Sequence, residues 1–280
     1  MAQMKKFFLG LLALPLLIAA QEIPSSITVT CGKTVLRLDA AKRWNINSIQ
    51  VDGEQLAIDH PGAHYGMTYM PAGAKGFIGS GHTETGKVET VKNIRFFIDG
   101  KTAVPQVQMS AKNSFYMEKV SEIGDFEVTY SFNLTGGILF ERTMLKTLRP
   151  ASVTNVYCFM HPWSTVFTRL YGITPDGDSV DIGLSSDGKF PTSGYLPKIA
   201  MLNPATETAI ATIITPVRHN GSRMKRLMWD RKVYHKDYFV PFSETVLPAD
   251  YTAEFTAKTV FFKASPAHFV PEAQRIFLLH

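Results

Sequence analysis

The sequence has only two cysteines and lacks the short motifs that identify several large enzyme classes. It contains no Gly-x-Ser-x-Gly nucleophile elbow, no His-Glu-x-x-His metal motif, no phosphate-binding loop and no dinucleotide-binding fingerprint. Two cysteines are too few for the Cys₃ or Cys₄ zinc sites of small domains. These absences argue against α/β-hydrolases, zincin proteases and nucleotide-binding enzymes.

An excess of charge of one sign is also absent. The chain has 29 Lys and Arg against 24 Asp and Glu, so its formal net charge is +5, which falls to +3 without Lys5 and Lys6. Such a small excess does not favour a nucleic acid or an anionic membrane as partner. It permits an acidic polysaccharide as ligand without requiring one.

Long apolar runs are missing after the first 20 residues. Residues 1–20 have the pattern of a secretory signal peptide, with Lys5 and Lys6, an apolar run from Phe7 to Ile18, and Ala19-Ala20 before the cut. The apolar run is shorter than the roughly 20 residues of a membrane span. We therefore expect a secreted or periplasmic protein, with no membrane segment after cleavage and a single β-sandwich domain over residues 21–280.

Alternation of apolar and polar residues, rather than helical periodicity, runs through the rest of the chain. Phe126, Val128, Tyr130, Phe132 and Leu134 alternate with polar residues, which is typical of a half-buried strand. Gly136-Gly137 then predicts a hairpin, and Asp52-Gly53 and Asp99-Gly100 predict further tight turns. The pattern predicts an all-β fold: a large antiparallel β-sandwich of the supersandwich type, with helix confined to short pieces near the C-terminus.

Cys31 and Cys158 lie in apolar, strand-like runs. Export would permit a disulfide between them, and burial would equally suit two free thiols. The sequence leaves both alternatives open.

The first candidate site is the glycine-rich stretch around His82 and Glu84. Gly79 and Gly81 allow the chain to bend just before the pair. If the backbone is extended, His82 and Glu84 point to the same side and can act together as general acid and base, or as two metal ligands. The alternative is a histidine that stabilises a glycine turn beside a solvated glutamate.

The second candidate site is the aromatic and basic segment from Trp229 to Tyr238. Candidate catalytic residues are Tyr234, His235 and Tyr238; Trp229 could stack on a sugar ring, and Arg231 and Lys236 could bind a carboxylate or sulfate. In one extended strand, alternation would place Trp229, Arg231 and His235 on one face and Tyr234, Lys236 and Tyr238 on the other. The alternative is an edge strand that lysines protect from aggregation.

Three further residues are candidates for substrate binding. His64 and Tyr65 follow a Pro-Gly turn, and Trp163 follows His161-Pro162 at the end of an apolar run. For Trp163, simple packing beside a turn proline is the preferred alternative.

The chain contains a Gly-His-x-Glu motif at residues 81–84 and two later segments, Trp-Asp-Arg at 229–231 and Tyr-His-Lys at 234–236. With these motifs, the export signal and the β pattern, the chain resembles secreted bacterial proteins with a galactose-mutarotase-like β-sandwich. The resemblance implies a concave sheet face that holds a sugar, with a histidine acid and a carboxylate base. His82, His235 and Glu84 are the matching residue types.

The sequence therefore predicts a carbohydrate ligand and an enzyme of the lyase or epimerase type, with no cofactor. A non-catalytic carbohydrate-binding module and a metal-dependent hydrolase remain alternatives. We expect His82 and Glu84 to share one cleft with His235 and with at least one of Trp229, Arg231, Tyr234 and Tyr238, because convergent ionisable groups in a cleft are the usual form of a functional site.

Overall fold

The computed structural model describes residues 22–192, 194–219 and 224–280. The predicted signal peptide lies outside the described residues. Within them, two large β-sheets pack face to face, and one helix lies near the C-terminus. The prediction of an all-β sandwich with little helix is confirmed.

The first sheet contains the strands that carry most of the segment from Trp229 to Tyr238. Its strands are β1 (Ser26–Cys31), β2 (Thr34–Asp39), β3 (Asn45–Val51), β4 (Glu54–Ala57), β5 (Thr68–Pro71), β8 (Gln108–Ala111), β12 (Ala151–Trp163), β17 (Lys225–Asp230) and β18 (His235–Leu247). They follow the spatial order β17-β18-β12-β4-β3-β2-β1-β8, and β5 pairs with β12. In the described part of the chain, β1 with β8 is the one parallel pair.

The second sheet forms the opposite layer. It contains β6 (Thr90–Ile98), β7 (Lys101–Ala103), β9 (Ser114–Ile123), β10 (Phe126–Thr135), β11 (Ile138–Thr147), β13 (Arg169–Ile173), β14 (Ser179–Gly183), β15 (Lys198–Asn203), β16 (Thr208–Arg218) and β19 (Thr252–Lys263). The order is β14-β13-β15-β16-β19-β11-β10-β9-β6-β7, with all neighbours antiparallel.

The glycine turns lie where the sequence predicts them. Gly136 and Gly137, with φ of 55° and 76°, connect β10 to β11, and Thr135 pairs directly with Ile138. Asp52-Gly53 and Asp99-Gly100 also have positive φ at both positions. Two consecutive left-handed residues give a turn whose twist matches that of the flanking strands.

The interior lies between the two sheets, and a smaller apolar layer lies outside the second one. Successive residues of β16 point to opposite sides, so Ile210 and Ile214 face the sandwich interior while Ala211 and Ile213 face the helix α1 (Phe269–Leu279). Among the described residues, no helix has the length and apolar character needed to cross a membrane.

Both cysteines are free and buried, and they belong to different parts of the core. Burial raises the pKa of the Cys158 thiol. Of the two alternatives that the sequence allowed, the structure has the two free thiols.

Candidate functional site

A cleft of about 370 Å³ lies on the outer side of the first sheet, where the two polar segments meet. Loop residues and β-strand residues both contribute to its walls. The residues that line it are Gly62, His64, Thr68, Phe77, His82, Glu84, Tyr157, Met160, Phe190, Leu227, Trp229, Arg231, Lys236 and Tyr238. A larger cavity of about 600 Å³ lies among turns that connect the strands, but no histidine lines it.

His82 and Glu84 form a hydrogen-bonded pair at one side of the cleft. His82 Nδ1 lies 2.6 Å from Glu84 Oε1, and the Glu84 side chain is half-exposed. The backbone here is a turn rather than the extended strand of the sequence interpretation, because Ser80 and Gly81 have φ of 51° and 81°. Burial lowers the pKa of His82, and the bond to Glu84 opposes this shift.

A buried ion pair holds this turn in place. Glu89 accepts a hydrogen bond from the Ser80 backbone N–H (2.9 Å) and one from Lys119 Nζ (2.6 Å), and both charged side chains are almost fully buried. The Ser80 carbonyl lies 2.9 Å from His64 Nδ1, and the His64 ring contacts the His82 ring with 4.0 Å between centroids. The interior ion pair thus positions both histidines of the cleft.

Gly81 is a specific requirement of this turn. It has a positive φ, and a Cβ added to it would lie 2.7 Å from the Ala41 carbonyl oxygen. We expect Gly81→Ala to lower the free energy of unfolding by about 1–3 kcal/mol more than Gly86→Ala, because overpacking against rigid backbone adds to the strain of the positive φ.

Gly86 is the matched control, since it also has a positive φ (71°) but no atom within 4 Å of an added Cβ. Urea denaturation of both variants provides the measurement. Equal losses in the two variants would contradict the close approach at Gly81.

The segment 225–238 forms a hairpin instead of one long strand. β17 ends at Asp230 and β18 begins at His235, with Trp229 opposite Lys236 and Leu227 opposite Tyr238. Directly paired residues share a face of the sheet. The turn therefore brings Trp229, Lys236 and Tyr238 to the same side, whereas a single strand would have separated Trp229 from the other two.

His235 lies on the other face and does not line the cleft, so the expectation that it shares the cleft with His82 is wrong. Its ring is fully buried; Nε2 lies 2.8 Å from the Phe167 carbonyl oxygen and Nδ1 lies 2.6 Å from Asp230 Oδ1. Burial lowers its pKa, against the effect of Asp230. The rest of the expected convergence is present, because His82 and Glu84 line one cleft with Trp229, Arg231 and Tyr238.

Tyr65 and Trp163 do not reach the cleft either. Both are buried in the core, where Tyr65 packs edge-on against His161 and Trp163 packs against His161 and Phe167. Their placement does not support the expected contact with substrate, and for Trp163 it matches the packing alternative. Burial of these large aromatic rings in the core, next to the end of β12, explains both positions.

Tyr234 supports the cleft from behind without lining it. Its hydroxyl donates to the Gly62 carbonyl oxygen (2.8 Å) and accepts a hydrogen bond from Arg231 Nη1 (2.9 Å). Lys42 Nζ binds the carbonyl oxygens of Pro61 and Ala63. The backbone of loop 60–64, which carries His64 into the cleft, is thus held by side chains from two directions.

An aromatic row that the sequence interpretation missed forms much of the remaining wall. The Phe77 ring contacts the His82 and Tyr157 rings, each with 5.4 Å between centroids, and Tyr157 contacts Tyr238 at 5.0 Å. Tyr157 lies in an apolar run that is typical of a core strand, but the pairing of β12 with β18 is irregular between Val156 and Cys158 and interrupts the regular alternation at Tyr157. Phe190 stacks on Trp229 from a turn-rich segment that gives no comparable signal.

The described residues contain no group of three or more His, Cys, Asp or Glu side chains arranged to hold a metal ion.

Behind the cleft, a buried network links the sheets: Glu141 binds His161 (2.6 Å) and Tyr130 (2.7 Å), and Arg226 pairs with Asp237 through two hydrogen bonds. Burial alone would lower the pKa of His161, but Glu141 and Asp237 outweigh it and raise the pKa to about 9.

The chain thus combines a two-sheet β-sandwich with an ionisable cleft on one outer sheet face. The sandwich resembles the fold of galactose mutarotase-like proteins. No protein-family model matches the chain, and no curated protein matches it in sequence.

Solved structures show the fold at low sequence identity. A candidate aldose 1-epimerase from Escherichia coli K12 has a TM-score of 0.53 at 10% identity, over 86% of this chain and 99% of that one. A galactose mutarotase-like protein from Clostridium acetobutylicum has a TM-score of 0.51 at 8% identity, over 85% of this chain and 95% of that one. The GH36 alpha-galactosidase AgaB from Geobacillus stearothermophilus has a TM-score of 0.55 at 8% identity, over 86% of this chain but 40% of the larger enzyme. The resemblance to the mutarotase-like fold is thereby confirmed.

Proposed function

We propose that this protein is an exported enzyme that acts on a sugar or polysaccharide by acid–base chemistry of the epimerase or lyase type. The observation that carries the proposal is the His82–Glu84 pair, whose two atoms lie 2.6 Å apart at the side of an aromatic cleft. Because His82 uses Nδ1 for Glu84, its Nε2 remains to exchange a proton with a ligand. Tyr238, Lys236 and Arg231 face the same space.

Two reactions use these groups. In an epimerase, His82 and a second ionisable group of the cleft would exchange protons with the anomeric hydroxyl and the ring oxygen of the sugar. The sugar ring would then open, and it would close again with the anomeric hydroxyl on the opposite face. In a lyase, Arg231 or Lys236 would neutralise a uronate carboxylate, His82 or Tyr238 would remove the adjacent proton, and the sugar at the 4-position would leave. The fold shared with the candidate epimerase and the galactosidase supports a sugar substrate by analogy.

A panel of sugars and polysaccharides tests the proposal. A lyase gives new absorbance of an unsaturated uronate, and an epimerase changes optical rotation without a new chromophore. Mass spectrometry of the exported protein tests export, since we propose a mature N-terminus near residue 21.

A non-catalytic carbohydrate-binding module is the second candidate, and the aromatic row Phe77, Tyr157 and Tyr238 favours it. Aromatic faces bind the apolar side of sugar rings without any need for proton transfer. Binding of a sugar at the cleft without turnover of any tested substrate would establish this candidate over the enzyme.

The pH dependence of activity offers a test of the His82–Glu84 pair. Burial lowers the pKa of His82 from its usual 6.5, and Glu84 raises it. A base must be unprotonated, so kcat/KM should fall on acidification through a pKa below 6.5. In Glu84→Gln the opposing effect is lost, so we expect this acidic limb to move to lower pH, along with a lower maximum rate.

Initial-rate profiles from pH 4 to 8 provide the measurement. Glu272→Gln, which changes a partly exposed glutamate on α1 that does not line the cleft, is the control and should leave the profile unchanged. An acidic limb that stays in place in Glu84→Gln would contradict the role of the pair.

A further inference from the structure

Positive charge without a carboxylate partner is concentrated at one side of the cleft. Lys236 and Arg231 line it, and Lys42 lies behind loop 60–64. Within residues 22–192, 194–219 and 224–280, none of these three side chains forms an ion pair with an Asp or Glu. Glu84 is the one acidic residue among those that line the cleft, and it is bonded to His82.

Lys236 is the most unusual of the three. Its side chain is 1% exposed, and its Nζ donates to the His64 carbonyl oxygen (2.8 Å) while lying 5.7 Å and 5.6 Å from the ring centroids of Tyr234 and Tyr238. Burial, followed by the charges of Lys42 and Arg231, holds the pKa of Lys236 well below its usual value. A buried ammonium group without a counter-ion is costly, so these surroundings disfavour the charged form of Lys236.

Arg231 is oriented by two aromatic neighbours. Its guanidinium lies 4.5 Å from the Trp229 ring centroid, and Nη1 donates to the Tyr234 hydroxyl. Among the described residues this is the one side-chain hydrogen bond of Arg231, so most of its five N–H donors remain for a ligand. A planar guanidinium held by an aromatic ring matches the two oxygens of a carboxylate.

We propose that the cleft selects sugars that carry an anionic group, a uronate carboxylate or a sulfate, which Arg231 and Lys236 bind together. The inference rests on the proposed function, in that the cleft must bind a sugar. An anion next to Lys236 supplies the missing counter-charge and favours the ammonium form. At a pH above the lowered pKa of Lys236, binding of an acidic sugar is therefore coupled to uptake of a proton by the protein.

Isothermal titration calorimetry tests this with ligand pairs that differ in the acidic group. The pairs are galacturonate with galactose, glucuronate with glucose, and oligouronides with their carboxyl-reduced counterparts; galactose 6-sulfate separates sulfate from carboxylate. Titrations in Tris and in triethanolamine, which have different ionisation enthalpies, measure proton uptake. We expect the acidic member of at least one pair to bind tenfold or more tightly than its neutral counterpart, with net proton uptake.

Three variants connect these results to the residues. Lys236→Met should abolish proton uptake, and Arg231→Gln should remove the tenfold preference, while Arg231→Lys retains the charge and should keep part of it. Lys232→Gln, which changes an exposed neighbour, is the control and should bind like the parent protein. Circular dichroism verifies that each variant is folded.

Three results would overturn the inference. Equal affinity for acidic and neutral sugars would refute it while leaving the proposed sugar function intact. Preference for acidic sugars that persists in both Arg231→Gln and Lys236→Met would refute the assignment to these residues. If no sugar binds, the proposed function fails together with the inference.

Discussion

Replacement of His82 by glutamine is expected to lower kcat by about 10²- to 10⁴-fold on the substrate that the panel identifies, because this is the usual contribution of a positioned general acid or base. Glutamine retains a side chain that can hydrogen-bond with Glu84, but it cannot take up or release a proton near neutral pH. Ligand affinity should therefore change much less than kcat. Initial rates and calorimetric titration of the same preparations provide the two measurements.

The control is His280→Gln, which replaces an exposed histidine at the C-terminus and should keep the activity of the parent protein. A His82→Gln variant with parental kcat would remove His82 from the mechanism. Together with retained binding, that result would move the proton-transfer role to another group that lines the cleft, such as Tyr238 or His64.

The second large effect concerns stability. Lys119→Met leaves Glu89 buried without its counter-ion, and the expected loss in the free energy of unfolding is about 3–5 kcal/mol. The pair is almost completely shielded from solvent, with side-chain exposures of 3% and 1%. Urea denaturation of the variant and the parent protein provides the measurement.

Lys92→Met is the matched control. Lys92 pairs with Glu122 at 2.9 Å, but both side chains are about half-exposed, so the loss should be at most about 1 kcal/mol. The double variant Lys119→Met/Glu89→Leu should recover much of the stability, since no charge is then left unpaired. It should still impair the cleft, because the Ser80 N–H loses its acceptor. A Lys119→Met variant as stable as the Lys92→Met variant would contradict the buried pair.

Much of the fold could be predicted because it depends on local rules. Alternation from Phe126 to Leu134 and the two glycines that follow specify β10, its turn and the start of β11, since these neighbours are adjacent in the chain. The His82–Glu84 pair was also accessible from sequence, as the two residues are only two positions apart. The actual backbone is a turn, yet the side chains still meet.

The hairpin at residues 231–234 was not visible in the sequence, because Arg-Lys-Val-Tyr contains no glycine, proline or Asn/Asp turn signal. Reading the segment as one strand placed His235 with Trp229 and separated Lys236 from it. The reversal of direction gives the opposite result: Trp229 pairs with Lys236, and Asp230 pairs with His235 on the buried face. One missed turn was enough to change which residues share a face of the sheet with Trp229.

By itself, the sequence determined the β class, the tight glycine turns and the residue types of the candidate site, because each depends on neighbours within a few positions. Tertiary structure alone decided which of those residues share the cleft. Tyr157, Lys42 and the Lys119–Glu89 pair take part through contacts between strands and loops far apart in the chain. The same long-range packing buries Tyr65, Trp163 and His235. Burial and charge environment, which set the pKa shifts of His82 and Lys236, arise only when these distant segments come together.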